Sequence, residues 1–165
     1  MVTVTTEQDP VAAVIDMVAF AESVDDPVTS RWPDDGPDRT LPMGDVEPSE
    51  RQRETRLQDA SLYVIQNDDA TYAKQDAAGN IDATYVVDVQ VWTGDGDTAH
   101  AYQRALTKLF AYFSRDNVDM TPFYEVGPIG AQDFRAQSFS VGAFDVEVAR
   151  VQLQEYRRIG DGEQG

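Results

Sequence analysis

Behind Asp9-Pro10, which pairs a capping side chain with a first-turn proline, Val11, Val14, Ile15 and Val18 recur three and four residues apart. This spacing predicts a helix that runs to about Ser23. Leu62-Tyr-Val-Ile65 reads as a strand, and Asn67-Asp68-Asp69 and Gly79-Asn80 read as turns. Tyr85, Val87, Val89 and Val91 then alternate with Asp88 and Gln90, the period-two pattern of a second strand in an antiparallel meander. After the turn at Gly94-Asp-Gly-Asp97, with Asp97 as the expected N-cap, Ala99, Tyr102, Leu106, Leu109, Phe110 and Phe113 form one apolar stripe. Residues 97–116 are therefore expected to be a helix laid on the sheet.

The last third carries Phe123-Tyr-Glu-Val126, then Phe134 to Val141, a turn at Gly142, and a long strand from Phe144 to about Arg157. In that strand Phe144, Val146 and Val148 share one parity while Val151 and Leu153 share the other. If both sets face one core, an extra residue is needed near Ala149-Arg150, and a β-bulge is expected there. Residues 160–165 are polar and expected to fray. Residues 24–59 stand apart: Pro27, Pro33, Pro37, Pro42 and Pro48 punctuate an acidic stretch too long for an ordinary connection. The segment reads as an extended arm, an insertion or a disordered loop, with Ser49 and Gln52 capping a short helix through Arg56. The expected fold class is α+β: one domain over residues 1–165, a mainly antiparallel sheet with a long helix on one face, an N-terminal helix and the extended arm.

Composition changes this picture in one respect. Thirty Asp and Glu oppose thirteen Lys and Arg, a formal charge of −17, spread along the chain rather than gathered in a tail. Lys74 and Lys108 are the only lysines, and aspartate dominates the acids. In molar salt, where the Debye length is roughly 3 Å, such a surface stays hydrated while its self-repulsion is screened. The composition points to a protein adapted to a salt-saturated cytoplasm. There is no cysteine, which excludes disulfides and thiolate metal sites. The N-terminus lacks a basic segment followed by an apolar one, and Asp16 breaks the most apolar stretch, so neither a signal peptide nor a membrane span is expected.

Candidate chemistry is sparse. His100 is the only histidine, and it lies off the apolar stripe of its helix beside Gln103, Arg104 and Lys108. A surface position is expected rather than a triad. Paired carboxylates such as Asp25-Asp26 and Asp34-Asp35 arise by chance in so acidic a chain. Asp95-Gly-Asp97 lacks the ligand run and closing Glu of a calcium loop, and Gly127-Pro-Ile-Gly130 lacks the Lys and strand-to-helix setting of a phosphate loop and reads as a simple loop. The charge balance opposes specific DNA binding. No catalytic residue, cofactor or metal site is expected. Two interaction surfaces remain. One is a positive stripe, His100, Arg104, Lys108 and Arg115, whose alternatives are a subunit contact or pairing with local carboxylates. The other is the arm, where Trp32, Leu41, Met43 and Val46 are apolar points suited either to docking on another surface or to folding back on this domain.

The element order, together with Tyr85-Val-Val-Asp-Val-Gln-Val91, the helix Ala99 to Phe113 and Phe144-Asp-Val-Glu-Val148, resembles the tail terminator (tail completion) proteins of tailed viruses over residues 10–157. The resemblance implies a homo-oligomeric ring, usually a hexamer, that caps the tail tube and joins it to neck or head-completion proteins. DNA would pass through a negative lumen without specific binding. With the salt-adapted composition it implies a virus of haloarchaea, its virion assembled in the host cytoplasm, and a neck adaptor or minor capsid protein is the neighbouring possibility. The competing expectation is a small halophilic enzyme or ligand-binding module with a pocket between helix 97–116 and the sheet, near Tyr85, Trp92 and Tyr102.

Overall fold

A computed structural model describes residues 10–23, 32, 36–54, 60–67, 71–74, 80–114, 121, 123, 125–128 and 139–158. In chain order its elements are α1 (Pro10–Ser23), β1 (Arg39–Pro42), a 3-10 turn (Met43–Asp45), α2 (Pro48–Glu54), β2 (Ser61–Gln66), β3 (Thr71–Lys74), β4 (Asn80–Thr93), α3 (Gly96–Tyr112), β5 (Glu125–Pro128), β6 (Phe139–Val141) and β7 (Phe144–Arg158). Among the described residues the strands form one seven-stranded sheet in the order β1-β2-β4-β7-β5, with β3 added to β4 and β6 to β7. All pairings are antiparallel except β1 with β2. The α+β class and the helix-on-sheet arrangement follow the hydrophobic pattern directly.

The centre of the sheet is the β4–β7 ladder, which runs without interruption from Asn80 opposite Arg158 to Thr93 opposite Asp145. No extra residue interrupts β7 at Ala149-Arg150, so the expected bulge is absent. The reason is that both faces of the sheet are buried. Ala149, Val151 and Leu153 face the main core with Ala83, Tyr85, Val87, Val89 and Val91, while Phe144 and Val146 belong to a second cluster with Trp92 and Tyr63. The change of parity in β7 marks where the apolar side of the strand moves from one face to the other. A regular strand accomplishes this without a register shift.

α1 and α3 cover the first face. Val14, Met17 and Val18 from α1 meet Leu106, Leu109, Phe110 and Phe113, all essentially removed from solvent. Phe20 seals the helix pair, with its ring 5.4 Å from Phe113 in an edge-on contact and 6.0 Å from Tyr112. Burying each such side chain contributes about 1.5–3 kcal/mol, which explains why this helix pair forms despite the modest length of α1. Gly142, in the left-handed region at φ 57°, opens the tight turn that sets Val141 opposite Phe144.

Three local expectations change. Asp95, not Asp97, caps α3: its side chain accepts from Asp97 N at 3.3 Å and Thr98 Oγ1 at 2.8 Å, and its carbonyl accepts from Ala99 N. Gly127 and Pro128 lie in β5 opposite Gln152 and Val151 rather than in a loop, which an edge strand permits because a proline there has, among the described residues, one side without a partner strand. The short helix after Pro42 begins with Pro48 in its first turn, and the Glu47 carbonyl accepts from Arg51 N at 2.9 Å, ahead of the expected cap at Ser49. Residues 115–120, 131–138 and 160–165, on which other sequence expectations fall, lie outside the described residues.

Candidate functional site

α3 divides its residues sharply. Ala99, Tyr102, Ala105, Leu106, Leu109 and Phe110 turn into the core, while His100, Arg104 and Lys108, one helical turn apart in succession, are exposed. His100 has 53% of its side chain exposed, and its Nδ1 sits 3.4 Å from Glu147 Oε1 on β7. Arg104 and Lys108 make no ion pair among the described residues, so local carboxylates do not consume this charge there. They are also the only exposed Lys or Arg among the side chains described. Arg115, the fourth member of the expected stripe, lies outside the described residues.

The segment expected as an arm has structure of its own. β1 adds to β2 in parallel, from Arg39 opposite Ser61 to Pro42 opposite Val64, and Asp38 N donates to the Ala60 carbonyl at 2.7 Å. Leu41 and Met43 are half-buried against Tyr63, Trp92, Phe144 and Val146, with Val46 fully inserted. Trp32 packs on the other core, its ring 5.6 Å from Tyr102. The three apolar points singled out as partner anchors thus place their surface against this chain's own cores. A strand of four residues is too short to display alternation, which is why the segment reads as irregular from sequence.

Two arginines that the sequence reading did not single out hold this cover in place. Arg39 donates from Nη2 to the Tyr63 hydroxyl at 2.6 Å, and its guanidinium lies 5.5 Å from that ring. Arg51 donates from Nη1 to the carbonyls of Val46 (2.6 Å) and Met43 (3.1 Å) and lies 5.7 Å from the Trp92 ring and 6.0 Å from Tyr63. Such short-range contacts are far less sensitive to salt than exposed ion pairs. Their signal in the sequence is faint: residues 24–59 hold five of the thirteen basic residues, Arg31, Arg39, Arg51, Arg53 and Arg56, and nothing in their spacing marks out these two. Of the carboxylates described in this segment, Asp38, Asp45 and Glu47 are exposed and Glu50 is half-buried.

The sheet also carries two buried polar groups. On the face of Trp92, Arg150 grips Asp88 with Nε–Oδ1 at 2.7 Å and Nη2–Oδ2 at 3.1 Å, and Asn67 Nδ2 donates to Oδ2 at 2.9 Å. On the helix face, the Tyr85 hydroxyl donates to Glu155 Oε1 at 2.6 Å. Tyr85 and Tyr102 are core residues on that face, whereas Trp92 lies on the opposite one. The three therefore do not converge on one pocket between α3 and the sheet.

Among the described residues no group of three or more His, Cys, Asp or Glu side chains is placed to hold a metal ion, and no helix is long and apolar enough to cross a membrane. The chain matches no protein-family model and no curated protein sequence. The exposed cationic face of α3, carrying Arg104 and Lys108, stands out on a molecule of net charge −17.

Proposed function

We propose that this chain is a virion structural protein, assembling as a homo-oligomeric ring of six subunits at the head-proximal end of a tail, where it caps the tail tube and joins it to the neck. The observation that carries this reading is the arrangement itself: α1, the antiparallel β2-β4-β7 centre and α3 across one face occur in the order that resembles tail terminator proteins. The surface is consistent with a role in association. β1, β3, β5 and β6 are short strands that each pair on one side only among the described residues, which leaves edges for pairing between subunits. A formal charge of −17 keeps a DNA-conducting lumen from adhering to phosphate. The work of such a protein is done by its contacts, with the tail tube on one ring face and neck proteins on the other.

The test is electron microscopy of the purified protein in about 2 M KCl, a salt level chosen to screen the acidic surface. Closed rings with six-fold symmetry and an opening wide enough for a DNA duplex are expected. A uniform population of single subunits would overturn the reading.

A further inference from the structure

The molecule presents opposite charge on opposite sides of one sheet. The outer face of α3 shows Arg104 and Lys108, exposed and without an ion pair among the described residues. The far side, built by residues 39–50 over Trp92 and Phe144, shows Asp45 and Glu47 outward, while its neighbouring cations Arg39 and Arg51 are turned inward onto Tyr63 and Trp92. Asp95 and Asp97 are exposed at the start of α3, about two helical turns before Arg104, and Asp95 is engaged in capping.

We propose that the Arg104–Lys108 face of α3 docks on the acidic outer surface of residues 43–50, around Asp45 and Glu47, of a second copy of this chain. The proposal rests on the ring reading and names the two surfaces that close it. The argument for a second copy is geometric. The two faces lie on opposite sides of the same sheet, so they cannot meet within one subunit. Joined between copies, they make a head-to-tail contact that leaves one unused face at each end, and such a contact repeats from copy to copy and forms a ring when its rotation closes. Charge complementarity sets register and excludes the reverse orientation, in which acidic faces would oppose each other.

The experiment uses the full-length chain with three sets of substitutions: R104E/K108E, D45K/E47K and all four together. Sedimentation is followed over a KCl series, with a melting curve for each variant to confirm folding. At the lowest salt where the wild type remains folded, each pair of reversals is expected to raise the protomer concentration for half-assembly about tenfold, and the fourfold variant to return within about threefold of the wild type. Reversals that leave assembly unchanged, or a fourfold variant that melts like the wild type and does not regain assembly, would overturn the docking surface while leaving the ring intact. A wild type that stays monomeric at every salt would remove the ring reading, and the docking surface with it.

Discussion

Asp88 and Arg150 show what an ionic contact needs in order to matter in this protein. Their side chains are 10% and 18% exposed, the bond is two-pronged, and Asn67 supplies a further donor to the carboxylate. Molar salt screens exposed pairs heavily and such a pair much less. Arg150→Met strands a carboxylate on the sheet, with an expected cost of about 3 kcal/mol, which for a chain of this size lowers Tm by roughly 6–12 °C. The double variant Asp88→Leu/Arg150→Met removes both charges and is expected to recover most of that loss. Thermal melts of the two variants in the same salt check the ordering, and a single variant as stable as the double one would contradict it.

At the scale of elements, the segment 36–54 is where the sequence reading and the structure part most instructively. Prolines and acids make it look detached, and only Leu41, Met43 and Val46 hint otherwise. Those residues find Tyr63, Trp92, Phe144 and Val146, whose parity on β2, β4 and β7 already announces a second apolar face. The expected bulge has the same root: it assumes one buried face, when the sheet has two. The strong periodicities of α1, α3, β4 and β7 were legible because each spans enough residues for its period to repeat. β1 and the parallel pairing were not, since a short strand has no period and a parallel neighbour leaves no turn signature. The stripe on α3 was legible because helical spacing places Arg104 and Lys108 on one face, but the inward role of Arg39 and Arg51 depends on tertiary neighbours. Deleting residues 30–47 is accordingly expected to damage the fold as well as assembly. It removes Trp32 and leaves Trp92 as the sole tryptophan, so the remaining fluorescence should shift to longer wavelength and the cooperative melt should broaden or vanish. A deletion variant with native-like Trp92 emission would mean that the segment is dispensable to the second core.

For the whole molecule, charge and salt set the conditions under which any contact operates. With a net charge of −17, self-repulsion opposes the folded state in dilute buffer, and screening relieves it. Tm is expected to rise steadily with KCl up to roughly 2 M or higher, where the Debye length is at or below about 3 Å. A melting point that is flat or falls across the series would remove the salt-adaptation argument. Under the same conditions long-range attraction between subunits is also screened, so a ring must be held by contacts that are close and partly desolvated: strand edges, and the face of α3 seated directly on carboxylates. The measurement that tests this most directly is the native mass of the wild-type protein by sedimentation equilibrium in molar KCl. Six copies of an 18.3 kDa chain give about 110 kDa, which is the predicted mass, held over a range of protein concentrations. A mass of one subunit at every concentration would contradict the account.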